Sequence, residues 1–163
     1  MLAAAVVFLP GCLVGNPRPS SPVAPRAEPS REDDAATLAG LVSAHNRERA
    51  RSDLPALTVD PRLEAAARRH AADMASRRRM SHKGGDRSSP FQRMQAEGYR
   101  YGKAAENVAA GSFTLETLMS GWMKSPPHRR NVLGPYSHIG ASVASDERGI
   151  SYWCVTFGAP FHP

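Results

Sequence analysis

The chain has 163 residues, 41% apolar and 22% charged, proportions near the globular norm, so most of it should fold as one domain with a real core. Its net charge of +6 favours anionic partners such as envelope polymers or anionic lipid. Only two cysteines occur, Cys12 and Cys154, which excludes a disulfide framework.

Met1 to Leu13 is apolar but too short to span a bilayer. It has the character of the hydrophobic region of an export signal. Leu9-Pro10-Gly11-Cys12 has the form of a bacterial lipoprotein cleavage site, with Cys12 as the residue that would carry lipid. A cleaved secretory signal is the alternative. Residues 1–15 are assigned to this signal. Residues 16–32 hold Pro17, Pro19, Pro22, Pro25 and Pro29 and read as a semi-extended linker. Residues 33–160 form the folded domain. An extracytoplasmic location follows, secreted or lipid-anchored, with membrane contact only through the lipid.

Leu38, Leu41, Val42 and His45 fall at helical spacing, predicting a first helix to about Arg51. Asp60-Pro61 is a strong helix start, and Leu63, Ala66, Ala67, His70, Ala71 and Met74 line one face of the helix that follows. Arg77-Arg78-Arg79 lies at its end, where cations suit the dipole. No aromatic residues interleave with that run, so no nucleic-acid partner is expected. Ser89-Pro90 starts a short third helix that Gly98 ends. Thr114 caps a fourth, with Leu115, Leu118, Met119 and Trp122 inward. Ser125-Pro126-Pro127 breaks it, and a helical turn runs through Val132 to Gly134. The period then changes to two. Ile139, Ala141 and Val143 form one strand, and Ile150 to Phe157 a second, joined by a turn at Asp146 to Gly149. Bulky residues on both faces of the second strand predict a sheet covered on both sides. Helices first and an antiparallel hairpin last argue an α+β fold.

His45 and His70 lie on apolar helix faces and read as core histidines. His138 has no obvious partner, His162 is in the tail, and Cys154 reads as a small buried hydrophobe. His82, before Gly84-Gly85, and His128, after two prolines, are free to face a cleft. Glu106 sits among small and apolar residues, where a carboxylate is costly unless paired. Two imidazoles and a carboxylate make a zinc set with an open fourth position. Their spacing fits no compact local motif, so convergence is not readable from it. There is no nucleophile elbow and no glycine-rich phosphate loop.

Ala44-His45-Asn46-Arg47-Glu48-Arg49, Ser81-His82, Glu106-Asn107, Gly121-Trp122, Ser125-Pro126-Pro127-His128-Arg129-Arg130-Asn131-Val132-Leu133 and Tyr152-Trp153 together resemble the CAP superfamily in its bacterial form. That superfamily unites cysteine-rich secretory proteins, antigen 5 and pathogenesis-related 1. The resemblance covers about Leu38 to Phe157. It implies an α-β-α sandwich with a mainly antiparallel central sheet and helices on both faces. It also implies a cleft of two histidines and two acidic residues that in some members binds a divalent metal. His82 matches the first histidine and Glu106 the first glutamate. Ser125 stands where the second glutamate belongs, and Tyr152 where the second histidine belongs. His128 is the expected substitute, with Asn107 and Trp122 as scaffold.

The leading expectation is a monomeric, non-catalytic binding module at the cell envelope. Its cleft would be lined by His82, Glu106, His128 and Tyr152, with His82 and His128 as ligands for a divalent cation such as zinc. Its ligand would be a small hydrophobic molecule or an anionic envelope polymer. The rivals are a metal-assisted hydrolase with Glu106 as general base, and an envelope scaffold held through its basic surface.

Overall fold

A computed structural model describes residues 31–161. The expectations for Cys12, the export signal, His162 and the linker up to residue 30 fall outside the described residues; residues 31 and 32, assigned to the linker, already belong to the first helix. Five helices and four strands follow in the order α1 (Arg31–Ala50), β1 (Thr58–Val59), α2 (Pro61–Ser76), α3 (Pro90–Ala96), β2 (Tyr101–Ala110), α4 (Leu115–Lys124), α5 (Pro126–Val132), β3 (His138–Ser145) and β4 (Ser151–Pro160). The start signals act as expected. Asp60 accepts from the Arg62 amide, Ser89 and Gln92 form a capping box, and Thr114 accepts from the Thr117 amide. No helix among the described residues is long and apolar enough to cross a membrane.

The sheet has the order β1-β3-β4-β2. The β3–β4 and β4–β2 pairs are antiparallel, and the two-residue β1 pairs parallel with β3. The α-β-α sandwich is therefore present. Two of its strands, β1 and β2, were not expected from the sequence. On β4, Trp153, Val155 and Phe157 pack with Leu41 and Ala44 of α1, Leu118, Met119 and Trp122 of α4 and Val132 of α5. Tyr152 and Cys154 face the other way, onto Ala67, Ala71 and Met74 of α2. The α2 backbone lies directly on the sheet: a Cβ added at Gly140 would collide with the Leu63 carbonyl group.

Two side chains tie α1 to the rest of the domain. Asn46 accepts from the Leu57 amide at 2.8 Å and donates to the Leu57 carbonyl at 3.0 Å, which sets the approach to β1. Arg49, 1% exposed, donates to the carbonyls of Pro55, Val132, Gly134 and Tyr136. It thereby satisfies the C-terminal end of α5 and the loop into β3, where carbonyls lack helical partners. The segment Ala44-His45-Asn46-Arg47-Glu48-Arg49 is thus structural through Asn46 and Arg49.

His45 is wholly buried between Trp122 and Phe157. Its Nδ1–H donates to the Leu41 carbonyl at 2.8 Å, and its Nε2 has no partner among the described residues. Burial lowers its pKa from 6.5 to about 4. The unfolded chain therefore takes up this proton before the folded one does. The contribution is fully present above about pH 6.5 and is lost as pH falls toward about 4, at ~1.4 kcal/mol per unit. Urea unfolding at pH 7 and pH 4.5 should show a fall of ~2 kcal/mol or more. In His45→Phe most of that fall should vanish; an equal fall in the variant would place the effect on other groups.

Candidate functional site

Strand periodicity decides which side chains can meet on β2. Asn107 faces the α4–α5 layer, where its amide donates to the His128 carbonyl at 3.2 Å and its oxygen accepts from Asn131 at 2.8 Å. Glu106 and Val108 face the α2 layer. Glu106 thus enters a buried polar cluster, with its side chain only 1% exposed.

Each carboxylate oxygen is taken. His82 Nδ1 donates to Oε1 at 2.8 Å, and His70 Nε2 lies 3.9 Å from the same oxygen. Arg93, from α3, donates to Oε2 at 2.7 Å, and the Cys154 thiol donates to it at 3.5 Å. Arg93 is itself buried, and it also donates to the carbonyls of Ser88 at 2.9 Å and His82 at 3.1 Å. One guanidinium therefore neutralises the carboxylate and pins the loop that carries His82. His70 Nε2–H donates to the Ser81 carbonyl at 2.7 Å, fixing the other end of that loop. Burial lowers the His70 pKa, so the ring stays neutral at physiological pH. Burial also pushes the Cys154 thiol well up, so it is an inert buried hydrogen-bond donor.

Of the expected site residues, His82 and Glu106 are in direct contact. His128 is not bonded to either. Its Nδ1 pairs with Ser125 Oγ at 2.8 Å, and its ring lies 6.5 Å from that of Trp122. It belongs to the opposite layer from Glu106. Burial lowers its pKa, and the charge of nearby His82 lowers it further. His82 is the open member, with a side chain 55% exposed.

Three expectations change. Tyr152 is a core residue: its hydroxyl lies 3.5 Å from Asp146 at the β3–β4 turn. The register sets Tyr152 opposite Ala110 and Thr156 opposite Glu106. Tyr152 therefore sits four residues along the sheet from the carboxylate, ~13 Å away. His138 does have partners, the Tyr99 hydroxyl at 2.9 Å and Asp60 at 3.8 Å. The zinc set of His82, Glu106 and His128 does not fit a metal. Both Glu106 oxygens are engaged, one by a guanidinium, and a divalent cation beside Arg93 would meet a like charge. Among the described residues no group of three or more His, Cys, Asp or Glu side chains is arranged to hold a metal ion. Arg93 is the functional residue that sequence reasoning missed. Nothing in a short, exposed-looking helix marks one arginine as buried.

A mixed four-stranded sheet between two helical layers, with an imidazole–carboxylate pair at its edge strand, defines a domain of the SCP type. Solved structures of that fold superpose on it. An extracellular SCP-domain protein from Bacillus anthracis gives a TM-score of 0.71 at 23% identity, over 78% of this chain and 42% of that one. An outer surface protein from Borrelia burgdorferi gives 0.69 at 24% identity, over 74% of this chain and 90% of that one. The chain belongs to the cysteine-rich secretory protein (CAP) family, whose model matches residues 42–157. It is 37% identical over 118 residues to the protein YkwD of Bacillus subtilis, covering 72% of this chain and 45% of that relative's length.

The buried pair predicts an asymmetric stability response. Arg93→Met should cost ~3–5 kcal/mol at pH 7, because it strands the carboxylate. Arg93→Met/Glu106→Leu should recover much of that loss in urea unfolding. A double variant no more stable than Arg93→Met would show that the ion pair is not the constraint.

Proposed function

We propose that this CAP domain is an extracytoplasmic binding module that holds its ligand without turning it over, at the mouth formed by His82 and His128. The observation that carries this reading is the full engagement of Glu106 by Arg93 and His82. A carboxylate so buried and paired is a poor general base. What remains toward solvent is the exposed His82 imidazole, with His128 and its partner Ser125 nearby, all able to take part in hydrogen bonds. Of the two expected ligand classes, a hydrophilic envelope polymer suits this polar mouth better than a hydrophobic small molecule.

A hydrolytic role draws on one observation, the 2.8 Å bond from His82 Nδ1 to Glu106. That bond fixes the tautomer and leaves Nε2 to act as the base, so His82 rather than Glu106 would move the proton.

Trp122 lies beside His128, so its fluorescence provides a readout. Titration with soluble envelope-polymer fragments should give saturable binding. His82→Ala and His128→Ala should each weaken it by ~5-fold or more, consistent with the loss of one hydrogen bond, measured at a temperature where both variants are fully folded. Unchanged affinity in the double alanine variant would sink the reading. Fragment cleavage that His82→Ala abolishes would replace it with the hydrolytic one.

Export with lipid at Cys12 belongs to the same proposal. Mass spectrometry of the mature protein from a bacterial host should find a diacylglyceryl-modified Cys12 as the first residue. An unmodified N-terminus further along would mean plain secretion.

A further inference from the structure

A cavity shares Arg93 with the His82–Glu106 cluster. It has a volume of about 400 Å³ and lies between α2, the loop before α3, and α3 itself. Arg69, Arg87 and Arg93 line it, with Ser88, Gln92 and Asp86. Three arginines thus share a lining whose one carboxylate is Asp86, although Arg93 is already paired with Glu106.

The cations are incompletely satisfied. Arg93 is 4% exposed and uses both terminal nitrogens, but its Nε–H is buried and has no partner among the described residues. A buried donor without an acceptor is costly. Arg87 makes no ion pair among the described residues. Its backbone is left-handed, at φ 65°, with its amide on the Gly84 carbonyl at 2.9 Å. Arg69 has only long contacts, 3.6 Å to Asp86 and 3.9 Å to Glu97. The Ser88 hydroxyl and the Gln92 side chain add neutral polar groups.

We propose that this cavity binds a phosphate group, whether free phosphate or a phosphoryl unit of a larger molecule. Planar guanidinium forks match phosphate oxygens in pairs, and Arg87, unpaired among the described residues, and Arg69, only loosely paired, supply the charge that Arg93 has committed to Glu106. The site does not depend on the His82–His128 mouth being a ligand site. It is tied to that mouth only through Arg93, which positions the His82 loop.

Calorimetric titration of the full chain at fixed low ionic strength, with inorganic phosphate and separately with a short poly(glycerol phosphate), tests it. Binding of either probe, with Kd on the order of 1 mM or tighter, is expected. The stronger probe identifies the source. Arg87→Gly removes the guanidinium while keeping the left-handed backbone unstrained. With Arg69→Gln, it should weaken binding at least ~10-fold without shifting the melting temperature. Asp86→Asn should tighten binding, and His82→Ala should leave it unchanged, separating this site from the mouth. Neither probe binding by ~10 mM, or affinity unaltered in Arg69→Gln/Arg87→Gly, overturns the proposal.

Discussion

The buried pair of Arg93 and Glu106 is the constraint around which this domain is arranged. A carboxylate on the inward face of an edge strand cannot stay charged without a partner, and α3 delivers that partner. The same guanidinium holds two carbonyls of the loop between α2 and α3. One interaction thus docks a seven-residue helix, anchors a loop and orients His82. Such pairs rarely add stability over a hydrophobic filling. Here the pair sets geometry: it decides that Glu106 meets an imidazole on one side and a guanidinium on the other.

The opposite layer is built by neutral hydrogen bonds. Asn131 reaches from α5 to the Glu106 carbonyl at 3.2 Å and to Asn107, covering part of the free edge of β2. Arg49 secures the far end of α5 from α1. His128 is therefore fixed from one layer and His82 from the other. The proposed mouth, with its two imidazoles from different layers, depends on the sheet edge between them. This makes β2 the element on which the functional reading rests.

Legibility followed how local each signal was. Asp60-Pro61, Ser89-Pro90 and Thr114 marked helix starts because caps act within one turn. The two faces of β4 were readable because its bulky residues alternate. Strand β2 was not, since glycine, lysine, alanine, glutamate and asparagine are weak strand formers, and it owes its conformation to pairing with β4. The parallel β1 has only two residues and is a product of docking beside β3. The site was half legible. His82 and Glu106 were picked out and do meet, whereas Tyr152 was assigned by motif register and lies at the wrong end of its strand.

The sequence by itself determined the family, the helices and the terminal hairpin, because caps and periodicities act over a few residues. It also singled out Glu106 as a carboxylate in need of a partner. Only the tertiary structure decided what that partner is. His82 and Glu106 are 24 residues apart, and Arg93 and Glu106 are 13 apart. No local rule couples positions so separated. Sheet register and the seating of α3 brought a guanidinium to the carboxylate.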